Sequence, residues 1–184
     1  MKTFFKSRFS VANYKLFDFI VFALFIGLGI VFDRFLLISM PFSKIGIGFL
    51  PIAFIAYRYG ATGAIIVAFL IDFIGATLLP TGVFNPALTA TAAFEGLILG
   101  LFLYKNKSIV NIIISALLFN IVCTLLLRTY FLYMYFGISK GYSFMAVLLL
   151  RMPQFIFSLI AQIILFRYLY VIDLILNKTI HKKR

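Results

Sequence analysis

The sequence predicts an all-α membrane protein, a bundle of six transmembrane helices with both termini cytoplasmic. Three observations lead there. The chain of 184 residues is 64% hydrophobic. Its apolar runs repeatedly approach the roughly 20 residues that cross a bilayer's hydrocarbon core. Its lysines and arginines gather at alternate ends of those runs, as the positive-inside bias requires. The length suits about one domain, and no tandem repeat, low-complexity tract or polar linker divides residues 1–184.

The opening "MKTFFKSRFSVANYKLFDF" is basic and aromatic but lacks an apolar core followed by a small-residue cleavage site. It is therefore expected to be a cytoplasmic lead-in over residues 1–15 rather than a removable signal peptide. Spans are expected at about 16–35, 48–57, 61–79, 87–104, 109–136 and 142–169, with a basic cytoplasmic tail at 173–184. The second is short. "YRYGATG" and "YKNKS" read as tight basic turns. The fifth run exceeds a straight crossing, so its end, "RTYFLYMYF", is expected to emerge as an interfacial aromatic belt.

In this arrangement Lys2, Lys6, Arg8, Lys15, Arg58, Lys105, Lys107, Lys178, Lys182, Lys183 and Arg184 share one side, against Arg34, Lys44 and Lys140 on the other. The richer side is assigned to the cytoplasm, which places loops 36–47, 80–87 and 137–141 outside. The net charge of +12 invites a nucleic-acid reading. The charges border membrane spans, however, and attraction to anionic lipid headgroups accounts for them without a nucleic-acid partner. Cys123 is the single cysteine, so the chain holds no internal disulfide and its redox compartment stays open.

Membrane helices gain little by trading lipid for other apolar side chains, so they associate where small residues let backbones approach. The third span offers Gly60, Ala64 and Ala68, the fourth Ala92, Gly96 and Gly100, and the first Ala23 and Gly27. Intramembrane polar groups carry more information, because an ionised side chain at the bilayer centre costs roughly 2.5–3.5 kcal/mol on insertion scales. Asp72, Glu95, Arg128 and Arg151 are such groups. Ala116, Asn120, Thr124 and Arg128 recur every four residues in the fifth span. Arg151, Gln154, Ser158, Ala161 and Gln162 hold one face of the sixth.

An acid of this set paired with an arginine would simply brace the bundle. Asn120, Thr124, Gln154 and Gln162 exceed what two ion pairs need, which points to an outward-facing pocket for an anionic ligand held by the arginine fork. Tyr130, Tyr133, Phe131, Phe84 and Phe42 are candidates to stack on a planar ring. In "LLPTGVFNPALTA", Pro80, Gly82 and Pro86 stiffen the outer connection, and Asn85 before Pro86 fits a helix cap with proline in the first turn. That loop, with Pro80 and Asn85, and the loop "LISMPFSKIGIGF", with Phe42 and Lys44, are the candidate lips of the pocket.

The stretch "GFLPIAFIAYRYGATGAIIVAFLIDFIGATLLPTGVFNPALTATAAFEGLILGLFL", followed by a basic turn and two polar-striped helices, resembles the substrate-binding S subunit of energy-coupling factor (ECF) vitamin transporters, in its folate-type branch. The Asp72 region, "LLP-x-G-x-F-x-P" and the threonine and glycine spacing of "TATAAFEGLILG" carry the resemblance. It implies a plasma-membrane bundle that takes a vitamin, folate first among them, from outside. It also implies docking on a transmembrane coupling subunit driven by two cytoplasmic ATPases. The small-residue face of the family's first helix falls on Ala23 and Gly27, matched in size though not in identity. The glutamate end of folate would suit Arg128 and Arg151 with Gln154 assisting, and its pterin edge a carboxylate, Asp72 or Glu95. The residues leave open which acid, and they leave pantothenate or thiamin open as substrates. No metal or cofactor is expected. A small intramembrane enzyme is the alternative of another class, but His181 lies in the tail and Cys123 has no histidine neighbour, so no nucleophile and base meet.

Overall fold

The computed structural model describes residues 14–39, 44–80, 84–104, 108–138, 141 and 143–182. They form α1 (Leu16–Arg34), a short hairpin of β1 (Leu37–Ser39) and β2 (Lys44–Gly46), α2 (Phe49–Leu78) and α3 (Pro86–Leu103). A long composite rod follows, made of α4 (Ile109–Leu118), the π-helical stretch π1 (Phe119–Leu127), α5 (Arg128–Leu132) and a second π-helical stretch π2 (Tyr133–Gly137). The last helix is α6 (Phe144–Lys182). Among the described residues, five helical stretches are long and apolar enough to cross a membrane, against the six spans expected. The fold is thus the expected helical membrane bundle, with an antiparallel hairpin, Leu37 opposite Gly46, where the sequence suggested only a loop.

α2 joins the second and third expected spans. Gly60 within it has φ 78° and ψ −162°, a conformation that side chains disfavour. The chain doubles back at this point. Adjacent residues at the end of α1, Asp33 and Arg34, lie against Gly48 and Gly75 respectively, two positions that a straight helix would hold roughly 40 Å apart. Phe22 likewise meets both Tyr59 and Gly63, on either side of the reversal. The two arms of α2 therefore run antiparallel beside α1.

The tightest packing joins the second arm of α2 to α3. A side chain at Gly96 would collide with the backbone of Ala64 and Ile65, and one at Gly100 with Ala61 and Gly60. The small residues in these two helices are what allow such approach. Ala61, Ala64, Val67 and Ala68 are fully buried in that seam, with Ala92 and Leu99 opposite. α6 returns to close the bundle. Phe166 meets Phe49 edge-on at 5.7 Å, and its carbonyl accepts from the Tyr57 hydroxyl at 3.3 Å. The outer faces of α1 and α6 remain greasy, with Leu16, Phe17, Ile20, Leu24, Leu149, Phe157 and Ile160 exposed. That surface suits lipid contact.

Candidate functional site

The interior polar groups collect where α3, the composite rod and α6 meet. Glu95 projects from the buried face of α3 beside Ala92 and Leu99 and is 3% exposed. Nη2 of Arg128 sits 3.0 Å from both of its carboxylate oxygens, with hydrogen-bond geometry to Oε2. Oε1 keeps no hydrogen-bond partner. Arg128 is about a third exposed (33%), so this pair reaches from the interior toward a wetter boundary.

Arg151 differs. It is 2% exposed, and its Nη2 donates to Oε1 of Gln154 at 3.3 Å. Its Nε and Nη1 are buried without a hydrogen-bond partner. Gln154 is neutral, so this guanidinium has no carboxylate within salt-bridge distance among the described residues. It lies near enough to both Arg128 and Glu95 to feel their charges. Pro153 sits between Arg151 and Gln154 inside α6. Its missing amide frees the carbonyl of Leu149 and loosens the helix at this turn.

A neutral cluster links the rod to α6. Asn120 donates through Nδ2 to Gln162 Oε1 at 2.7 Å and to the Ala116 carbonyl at 2.8 Å. Gln162 in turn donates to Ser158 Oγ at 3.1 Å. Asn120 Oδ1 is left without a donor. Asn120 lies in the π-helical stretch that precedes Arg128. Residues four apart drift around an α-helix, which has about 3.6 per turn. The i→i+5 bonding of a π-helix widens the turn and reverses that drift. Asn120 and Thr124 are both buried within π1, whereas Arg128, just beyond it, is a third exposed. Thr124 is buried there, and its carbonyl accepts from the Thr129 hydroxyl at 3.4 Å.

The other candidate residues lie elsewhere. Asp72 accepts from Thr89 Oγ1 at 2.7 Å, across α2 and α3. Thr89 escaped the sequence reading, although it falls one turn after Asn85 on the α3 face that the short connection turns toward α2. Asn85 caps α3, accepting from the Ala87 amide at 2.9 Å, and Pro86 occupies the first helical position. The other end of the Asn85 amide, Nδ2, is buried and unpartnered. Phe84 is exposed and packs edge-on against Phe73 at 6.0 Å. Tyr130 pairs with Phe131 at 5.6 Å, and Tyr133 with Phe144 at 5.6 Å. Pro80 is exposed. Phe42 and the side chain of Lys44 lie outside the described residues. Ala23 and Gly27 share an exposed strip of α1, and a side chain at Gly27 would meet nothing within 4 Å.

The unspent hydrogen-bonding atoms of the interior cluster are donors on Arg151 and acceptors on Glu95 and Asn120. Buried polar atoms in native proteins are overwhelmingly paired, so these atoms retain hydrogen-bonding capacity that the described residues leave unused. The long apolar helices among the described residues define a multi-pass membrane protein with a polar patch in its interior. The chain belongs to the family of substrate-specific components of ECF transporters, whose model matches residues 18–170. It is 33% identical over 111 residues, 60% of this chain, to the folate transporter FolT of Clostridium novyi (strain NT). That match spans 64% of the relative's length, less than two thirds. The fold is also similar to a crystal structure of FolT bound with folic acid, with a TM-score of 0.77 and 25% identity, covering 84% of this chain and 93% of that one.

Proposed function

We propose that this chain is the vitamin-binding subunit of an ECF importer and that its vitamin is folate. In this reading it lies in the plasma membrane, crosses six times because the two arms of α2 count separately, and keeps both termini in the cytoplasm. It binds ligand from outside and docks through the Ala23 and Gly27 strip of α1 on a transmembrane coupling subunit driven by two ATPases. The likeness to folate transporters supports the choice of vitamin.

The observation that carries the reading is Arg151, a buried guanidinium with two unspent nitrogens and no carboxylate beside it. Leaving such a cation uncompensated is costly, and a ligand carboxylate repairs the deficit with charge-assisted bonds. The glutamate end of folate supplies one. The amino edge of its pterin supplies donors for acceptors such as Glu95 Oε1 or Asn120 Oδ1.

The test is calorimetric titration of the purified chain with folate, pantothenate and thiamin in turn. Folate is expected to bind most tightly, and Arg151→Ala to weaken it about 10- to 100-fold, the worth of one to two charged hydrogen bonds. Unchanged affinity in that variant overturns the assignment of Arg151, and preferential binding of another vitamin replaces folate. Ala23→Trp or Gly27→Trp is expected to abolish assembly and uptake while leaving binding by the isolated subunit intact. Retained transport removes that strip from the docking role.

A further inference from the structure

The end of the bundle where α1 begins holds a cluster that the ligand site does not use. Asp18, in the first turn of α1, accepts from the Lys15 amide through Oδ2 at 2.8 Å and from the Tyr59 hydroxyl through Oδ1 at 3.0 Å. Tyr59 is the last residue before the reversal at Gly60. Its carbonyl, left over where the first arm of α2 ends, accepts from the Tyr14 hydroxyl at 3.4 Å. Burial pushes the Tyr14 phenol above its ordinary value of 10.0, so the hydroxyl stays protonated and able to donate at neutral pH. The rings of Tyr14, Phe22 and Tyr59 enclose these bonds edge-to-face, with centroids 4.8 to 6.0 Å apart.

α1 needs such a device. It leans chiefly on α2, and most of its large side chains face outward. In a bilayer, apolar contacts with a neighbouring helix and with lipid are nearly equivalent, so they fix helix tilt weakly. Directional polar bonds do so more sharply. At its far end α1 is held by Asp33 and Arg34 seated over Gly48 and Gly75. At its near end the bonds through Asp18 and Tyr59 are the counterpart, little more than one turn from Ala23. We propose that Asp18 and Tyr59, steadied by Tyr14, are positioning residues that tie the start of α1 to the turn of α2 and so set the angle at which the Ala23 and Gly27 strip meets the coupling subunit. This rests on the docking role proposed above for that strip.

Tyr59→Phe removes the hydroxyl but keeps the ring, so the aromatic packing survives. Two readouts are taken on the full chain. One is capture by the coupling subunit with its ATPases. The other is the distance distribution between spin labels at the exposed positions Ile20 on α1 and Ile109 on α4, in a Cys123→Ala background. The variant is expected to broaden the distribution and to lower capture at least tenfold, while folate affinity and the melting temperature of the isolated subunit stay near native values. Asp18→Asn, which retains one acceptor oxygen, is expected to shift both readouts in the same direction by less. An unchanged distribution with unchanged capture overturns the proposal. So does a loss of capture accompanied by equal losses of ligand affinity and melting temperature, which marks a merely structural role. Should the native chain bind a vitamin other than folate, the substrate reading fails and the capture result still decides this one. Should Ala23→Trp leave capture intact, the docking role fails, and the label distances decide whether Asp18 and Tyr59 hold α1.

Discussion

The seam between α2 and α3 and the seam between the composite rod and α6 solve the same problem in opposite ways. In the first, Gly96 and Gly100 press onto the backbone of Ala64, Ile65 and Ala61, and the hydrogen bond from Thr89 to Asp72 ties the two helices. In the second, amides and guanidinium groups fill the space, and several of their atoms remain unspent. A dry small-residue seam holds rigidly because backbones have no freedom to rearrange. A polar seam with unpaired donors can exchange partners. The difference separates a rigid frame from a polar seam with spare hydrogen-bonding capacity within one bundle of helices.

The comparison is broken most severely at the frame. Gly100→Leu is expected to cost about 3 kcal/mol or more, since the new side chain lands on backbone that cannot move aside. Loss of the folded peak in size-exclusion chromatography would report it. The same change at Gly27, where a side chain meets nothing within 4 Å, is expected to leave the isolated subunit intact.

Next in size is Glu95→Gln, which strands Arg128. Removing one partner of a fully buried pair costs about 3–5 kcal/mol. The 33% exposure of Arg128 lowers the expectation to roughly 1–3 kcal/mol. Adding Arg128→Gln should recover much of that stability in thermal melts. A double variant less stable than Glu95→Gln alone would show that Arg128 has a structural role beyond the pair.

Within the neutral cluster, Gln162→Leu leaves the Asn120 amide short of one acceptor and is expected to cost about 1 kcal/mol. Replacing both residues with leucine should come close to native stability. If the cluster also contacts ligand, folate affinity will fall in the double variant although its melting temperature does not. The smallest effect belongs to Thr89→Val, about 0.6 kcal/mol, typical of an interhelical hydrogen bond in a membrane protein. A larger cost would mean that Asp72 also serves the polar seam.

Much of the frame could be read from residue order, because small residues at four-residue spacing and apolar run length are local properties. The runs around 61–79 and 87–104 became the second arm of α2 and α3 for that reason. The reversal at Gly60 was legible only as a turn signal, and its sharpness emerges from contacts made by α1. The hairpin of β1 and β2 has strands of three residues, too short to carry a period.

In the candidate site, the stripes ending in Arg128 and Arg151 were visible as positions. Which acid met which arginine was not, since Glu95 and Arg128 are far apart in the chain and on different helices. Asp18 and Tyr59 passed unnoticed as well. An acid in a first helical turn ordinarily answers the helix dipole, and nothing in the residue order says that a tyrosine from the turn of α2 reaches it.

The widened stretch from Phe119 to Leu127 makes the length of this segment a functional quantity. Deleting one residue there would remove one step of rotation, about 100° at 3.6 residues per turn, and tightening of the remaining wide turns toward ordinary winding would supply part of it back. Arg128 would be displaced from Glu95 by the remainder, with its chemistry unaltered. A change of one codon here would therefore alter the alignment of Arg128 with Glu95 without exchanging either side chain of the pair.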